Sequence, residues 1–202
     1  MALTVRQITS QDIVNLSHCF KRAFDQDPVM RWIFFTEREW ERCALRYFSM
    51  AIREYIRSGH ALTTDGLEGA ALWLKPDSPK PGFWYQVVAY MKMSWLFRGG
   101  FVRGLQIEEA LQHIHPKQPH WYLSVIGTDT RHRGKGVGPA LLQSVLQQCD
   151  EQNLPAYLES SNQKNISFYI RHGFEILRDV SIPDGPTLWP MLRQPQHPEG
   201  SS

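Results

Sequence analysis

The stretch RHRGKGVG, residues 131–138, sets glycine at every second position between an apolar run, HWYLSVIG, and a helix-like run, PALLQSVLQQC. A glycine-rich turn from strand to helix has one recurring chemical use. Its backbone N–H groups, unobstructed by side chains, converge on phosphate oxygens where the helix begins. The feature therefore asks for a strand before it, a helix after it and an anionic ligand between them. Single residues exclude two common forms. A nucleotide P-loop needs Ser or Thr after its lysine, and Lys135 is followed by Gly136. A dinucleotide turn needs glycine where Pro139 stands. A third form has Gln or Arg, two residues, Gly, one residue, then Gly or Ala; Arg133, Gly136 and Gly138 satisfy it.

Residues 3–9 alternate like a short strand, and apolar residues at Ile13, Leu16, Phe20 and Phe24 give helical spacing after an N-cap at Ser10. Asp27-Pro28 breaks that helix. A long amphipathic helix runs from a cap at Thr36 to Gly59, and Asp65-Gly66 joins the next two strands as a hairpin. Residues 83–98 and 101–114 read as two helices, the first rich in Trp, Tyr and Met. The central strand is 120–128, followed by the helix after the glycines, the strand PAYLESS, a short helix ending at Gly173 and two more strands. The pattern predicts one α/β domain over 1–193, with a flexible polar tail at 194–202.

A second motif lies downstream. NQKNISFYIRHGF sets Asn162 seven residues before Tyr169 and closes on Gly173-Phe174. With the glycine turn, this pair of motifs resembles the GNAT (GCN5-related) N-acetyltransferase superfamily, closest to the puromycin N-acetyltransferase-like bacterial enzymes. The strong resemblance covers the half of the chain after about residue 115. It implies a three-layer fold with a mostly antiparallel sheet, helices on both faces, and a splay between the strands at 120–128 and 156–160. It also implies acetyl-CoA as acyl donor. Ile126, Gly127 and Thr128 would line the pantetheine arm. Arg133, Gly134, Lys135, Gly136, Val137 and Gly138 would cradle the diphosphate, and Asn162 would support that end. Tyr169 would be the general acid toward the leaving thiolate, since a phenol stays protonated near neutral pH. Glu159, on the strand next to the splay, is the candidate proton acceptor. Asp27 would attract an ammonium substrate, and Trp84 and Tyr85 would wall the acceptor pocket. One departure stands out: such strands usually end in V-x-P, whereas this one ends Thr128-Asp129-Thr130.

The acceptor expected on these grounds is an amine of a small molecule, attacking the thioester directly. A protein N-terminus or lysine, or a non-catalytic acyl-CoA-binding module, are the alternatives. A net charge of +2 with interspersed acids gives no argument for nucleic acid. No apolar run reaches membrane-spanning length. Three scattered cysteines predict reduced thiols and a cytoplasmic protein. No histidine spacing implies a metal; His113 and His115 read as solvated surface, and His172 as a cap on its helix. A monomer or a homodimer fits equally.

Overall fold

A computed structural model describes residues 3–76 and 100–196. Along these the elements run β1 (Val5–Gln7), α1 (Ile13–Ala23), α2 (Pro28–Ile33), α3 (Glu37–Ser58), β2 (His60–Thr64) and β3 (Gly69–Leu74). Then come α4 (Gly100–Leu111), β4 (Trp121–Thr128), α5 (Val137–Glu151), β5 (Ala156–Ser160), α6 (Ile166–Ile170), β6 (Glu175–Ile176), β7 (Val180–Ser181) and β8 (Thr187–Arg193). The aromatic helix expected at 83–98, with Trp84 and Tyr85, lies outside the described residues, as does the tail beyond 196.

The local signals account for most boundaries. Thr36 Oγ1 accepts from the Glu39 N–H at 3.2 Å while Glu39 reaches back to the Thr36 N–H, so both orphan donors of α3 are satisfied. Its last turn closes on Gly59, whose N–H donates to the Tyr55 carbonyl. The start of α1 differs from expectation. Thr9, not Ser10, caps there, exchanging bonds with Asp12 around a 3-10 turn that delays the α-helix to Ile13. The β2–β3 connection is four residues long, and Leu67 rather than Gly66 takes the positive φ.

The sheet order is β1-β2-β3-β4-β5-β8-β6, with β7 also paired to β8. All pairs are antiparallel except β4 with β5. On one face α1 and α3 bury Leu16, Phe20, Trp40, Phe48 and Ile52. On the other, α5 presses Leu141, Leu142, Val145, Leu146 and Cys149 against Trp73, Trp121, Leu158 and Met191. Each such aliphatic side chain removed from water contributes about 1.5–3 kcal/mol. The three cysteines are buried and form no disulfide.

Two irregularities in β4 shape the space beside it. Leu72 pairs with Val125 but Trp73 pairs with Leu123, so Ser124 is an extra residue, a bulge. Past it the facing of side chains is reversed, because one inserted residue flips a two-residue period. Gly127 thereby meets α1, where a Cβ would lie 2.9 Å from Phe24 and 3.0 Å from Phe20. The second irregularity is at β5. Parallel pairing holds only from Trp121↔Ala156 to Leu123↔Leu158, and the strands then part. The expected splay is present, and β4 runs on to Thr128 with one edge unpaired by β5.

Candidate active site

The parting strands open into a cleft of about 670 Å³. Its floor is the free end of β4: Ile126, Gly127 and Thr128. One wall is the glycine turn with the start of α5, contributing Arg133, Gly134, Gly136, Val137 and Gly138. The opposite wall carries Asn162, Phe168 and Tyr169, and Phe24 and Asp27 close the α1 side. Most of the residues singled out from the sequence, Asp27 and Tyr169 among them, thus share one cavity. Lys135 and Glu159 do not line it.

The turn takes a left-handed backbone at two of its glycines. Gly134 and Gly136 have φ of +76° and +81°, a region that costs other residues about 1–2 kcal/mol. Gly138 is different. It is helical, and a Cβ there would make ordinary contacts with the Phe168 ring at 3.5 Å and Thr128 Oγ1 at 3.9 Å, so neither backbone nor packing requires glycine. Gly136 is the N-cap of α5 and supplies no side-chain acceptor. The first-turn N–H groups of Val137 and Gly138 therefore have no intrahelical partner and point out of the helix end, reinforced by its dipole. Pro139, next in line, has no N–H to leave orphaned. Arg133 turns back to donate to the Ala23 carbonyl at 3.1 Å, which holds its guanidinium at the cleft wall.

The departure at Asp129 has a structural explanation. The residue is buried, and its carboxylate accepts from Arg22 Nε at 2.9 Å and Nη2 at 2.7 Å. It also takes Arg131 Nη2 at 2.7 Å and the Arg131 N–H at 3.1 Å. Two guanidiniums hold it well below the usual carboxylate range. Asp129 rivets α1 to the entry of the glycine turn, and Arg131, exposed as it is, belongs to that rivet.

Asp27 caps α2, its Oδ1 accepting from Val29 N at 3.0 Å and Met30 N at 2.9 Å, while Oδ2 accepts from the Ser161 hydroxyl. It is 7% exposed, and no ion pair reaches it among the described residues. Burial pushes its carboxyl up. Among the described residues it is the one acid in the lining, against Arg133, Lys164 and Arg171. Tyr169 packs edge-on against Phe174 and Phe168. Burial, with Asp27 close enough to oppose a second negative charge, raises its phenol, so it is a neutral O–H donor across the neutral pH range. Asn162 Oδ1 accepts from the Lys164 N–H at 3.0 Å and so shapes the turn into α6. His172 caps as expected, its Nδ1 at 2.8 Å from the Phe168 carbonyl.

Glu159 is elsewhere. It accepts from the Tyr122 hydroxyl at 2.7 Å and lies 3.5 Å from His115 Nδ1. His115 is accordingly no bare surface residue; its ring packs on Tyr122 and Tyr157. Ser161, Lys164 and Arg171 were not singled out from the sequence. A serine after a strand and two cations near a short helix carry no motif of their own. Among the described residues no cluster suits a metal ion, and no helix is long and apolar enough to cross a membrane.

The acetyltransferase (GNAT) family profile matches residues 81–174, which contain β4, the glycine turn and Tyr169. An uncharacterized N-acetyltransferase of Schizosaccharomyces pombe is 23% identical over 96% of this chain and 84% of its own. A crystal structure from Corynebacterium glutamicum, described as histone acetyltransferase HPA2 and related acetyltransferase, superposes with a TM-score of 0.74. It is 25% identical over 99% of this chain and 100% of that one. PaiA N-acetyltransferase of Thermoplasma acidophilum, solved in complex with coenzyme A, shares the fold at a TM-score of 0.55 and 12% identity, over 96% and 99% of the two chains. Bulged strand, splay, glycine turn and Tyr169 stand together where the family match falls, and in that sequence segment and in its fold the chain is similar to the GNAT N-acetyltransferases.

Proposed function

We propose that this chain transfers an acetyl group from acetyl-CoA to a primary amine of a small molecule. The observation that carries this reading is the charge layout of the cleft: cations and free N–H groups at the glycine-turn end, one buried unpaired carboxylate near Tyr169. The first end suits the phosphates of coenzyme A. Arg133, Lys164 and Arg171 supply long-range attraction, and Val137 and Gly138 supply directed donors. The free edge at Ile126–Thr128 suits an extended amide-bearing arm, held as an added strand. Acetyl-CoA, when bound, supplies an activated acetyl thioester.

The second end suits the acceptor. A carboxylate buried without a cation is costly, and an incoming ammonium is the missing partner. In this reading Asp27 receives the ammonium, and its raised basicity lets it take the proton that must leave before nitrogen can attack. Asp27 thus replaces Glu159, which stands outside the lining, as first proton acceptor. Tyr169 donates its phenolic proton to the departing sulfur and recovers one from the newly acylated nitrogen. The buried setting of Asp27, set back from the surface, favours a small amine over a residue of a folded protein.

The test is a panel of amines, with lysine and N-terminal peptides included, scored by free-thiol release from acetyl-CoA. Turnover with small amines, reduced about 100-fold or more in Tyr169→Phe at unchanged acetyl-CoA affinity, is the expected result. Absence of acetyl-CoA binding by calorimetry would sink the reading. Preference for the peptides would move the acceptor to protein.

A further inference from the structure

Each turnover converts an ammonium and a thioester into an amide and a thiol, and one proton is left over. Nitrogen loses two protons; the thiol keeps one. On the acetyl-transfer reading, which this inference rests on, the first acceptor is a carboxylate only 7% exposed, so the other proton needs a way out.

Alternation along β5 and the residue just past its end puts Tyr157, Glu159 and Ser161 on one face. Ser161 is bonded to Asp27 in the cleft. Two residues earlier, about 6.6 Å along the strand and within the span of one bridging water, Glu159 begins a second polar group. The titratable residues facing one another there are Glu159 and Tyr157 from β5, Tyr122 from β4 with Tyr55 of α3 behind it, and His115 and His120 from the segment between α4 and β4.

The hydrogen bonds fix where the protons sit. His120 Nδ1 is 2.7 Å from the Gln118 carbonyl, which can only accept, so Nδ1 carries hydrogen. Burial disfavours the charged ring, which leaves His120 Nε2 a lone pair. His115 Nε2, 3.1 Å away, must therefore donate. A neutral His115 then has a bare Nδ1, and that nitrogen faces Glu159 Oε1 at 3.5 Å. Tyr122 donates to the other oxygen of the same carboxylate. The ring of His115 is 38% exposed against 10% for Glu159, so the chain of groups runs from inside to solvent.

We infer that Glu159 and His115 form the proton exit of the enzyme, with His120 holding His115 in the tautomer that receives. A proton reaching the Glu159 carboxylate passes to the Nδ1 lone pair of His115, and the imidazolium releases it to water. His120 is a positioning residue; it never carries the travelling proton.

The experiment uses the full chain, a saturating amine and acetyl-CoA, with rate followed against pH and against added imidazole buffer. His115→Gln and Glu159→Gln are expected to lower kcat by about 100-fold or more, the low side of what a placed proton carrier contributes, and imidazole should restore the His115→Gln rate. Tyr169→Phe should not respond to imidazole. Independently of turnover, long-range ¹H–¹⁵N spectra of the free protein should show neutral His120 protonated on Nδ1 and neutral His115 on Nε2. Unchanged kcat in both variants, a loss that imidazole does not repair, or the opposite His115 tautomer would each overturn the exit while leaving wild-type acetyl transfer intact. A wild type silent toward every amine would overturn the acetyl-transfer reading, and the exit with it.

Discussion

Removing the Asp129 carboxylate tests whether the glycine turn depends on a rivet 107 residues distant in sequence. Asp129→Ala deletes a group that is 2% exposed and accepts from two guanidiniums and one backbone N–H. Breaking a fully buried ion pair costs about 3–5 kcal/mol, because the surviving charge is stranded. Here the survivors are not stranded, since Arg22 is 39% and Arg131 68% exposed and both can rehydrate. What remains is the void and the unsatisfied Arg131 N–H, about 1–3 kcal/mol by the ordinary cost of a lost buried acceptor. A loss near 2 kcal/mol should lower the melting temperature of a chain this size by about 4–8 °C. Urea unfolding gives the free energy and calorimetry gives acetyl-CoA affinity, which should fall as well because the turn entry loosens. Arg131→Ala, removing only an exposed partner, should change stability little. If Asp129→Ala unfolds at the wild-type urea concentration and binds acetyl-CoA normally, the rivet is decorative and its coupling to the turn is refuted.

The glycines separate backbone need from ligand need. Gly136→Ala should destabilise by about 1–2 kcal/mol through its positive φ, whereas Gly138→Ala should melt normally and still bind acetyl-CoA less tightly in calorimetry; equal stability losses would refute the distinction. Asp27→Asn keeps the α2 cap and loses the anion. Its kcat/KM for amines should drop about 10- to 100-fold, the worth of a charge-assisted contact, with acetyl-CoA affinity and melting temperature no lower than wild type. The acid side of stability rests on Asp12 and Asp129, both held well below the usual range by arginines. Their folded pKa lies under the unfolded value of about 3.9, so their contribution is complete above that pH and lost as pH falls below it. Asp27, shifted upward, acts in the adjoining window above the unfolded value, where falling pH favours its protonated folded state. The urea midpoint should fall below about pH 4, and Asp129→Asn should make that fall shallower.

How much of the molecule was legible in its sequence tracks the range of the forces involved. Helix caps and glycine conformations are settled within four residues, so Thr36, Gly59 and the 131–138 turn were legible, as was the Asn162–Tyr169 segment with its fixed spacing. Even locally, competition misled: Thr9 and Asp12 bond reciprocally and displaced Ser10 from the cap. Partnerships across the fold left no trace. Asp27 with Ser161 spans 134 residues, and the place of Glu159 was set by Tyr122, 37 residues away. The period of β5 puts Tyr157 and Glu159 on one face, but period cannot say how far along that face the cleft extends.

The short seam between β4 and β5 gives the molecule an unusual mechanical character. Only three parallel rungs, Trp121 to Leu123 against Ala156 to Leu158, tie the β1–β4 half of the sheet to the β5–β8 half. Sheet edges normally face outward, where another chain can zip onto them. Here the free edge faces the cleft between the two halves, and on the acetyl-transfer reading it receives one strand-shaped guest. Such a guest would act as a clasp across the seam, stiffening the two halves against each other. On acetyl-CoA binding, amide exchange should then slow not only along residues 124–128, which would pair with the guest, but also at 159–161 on the other side of the seam.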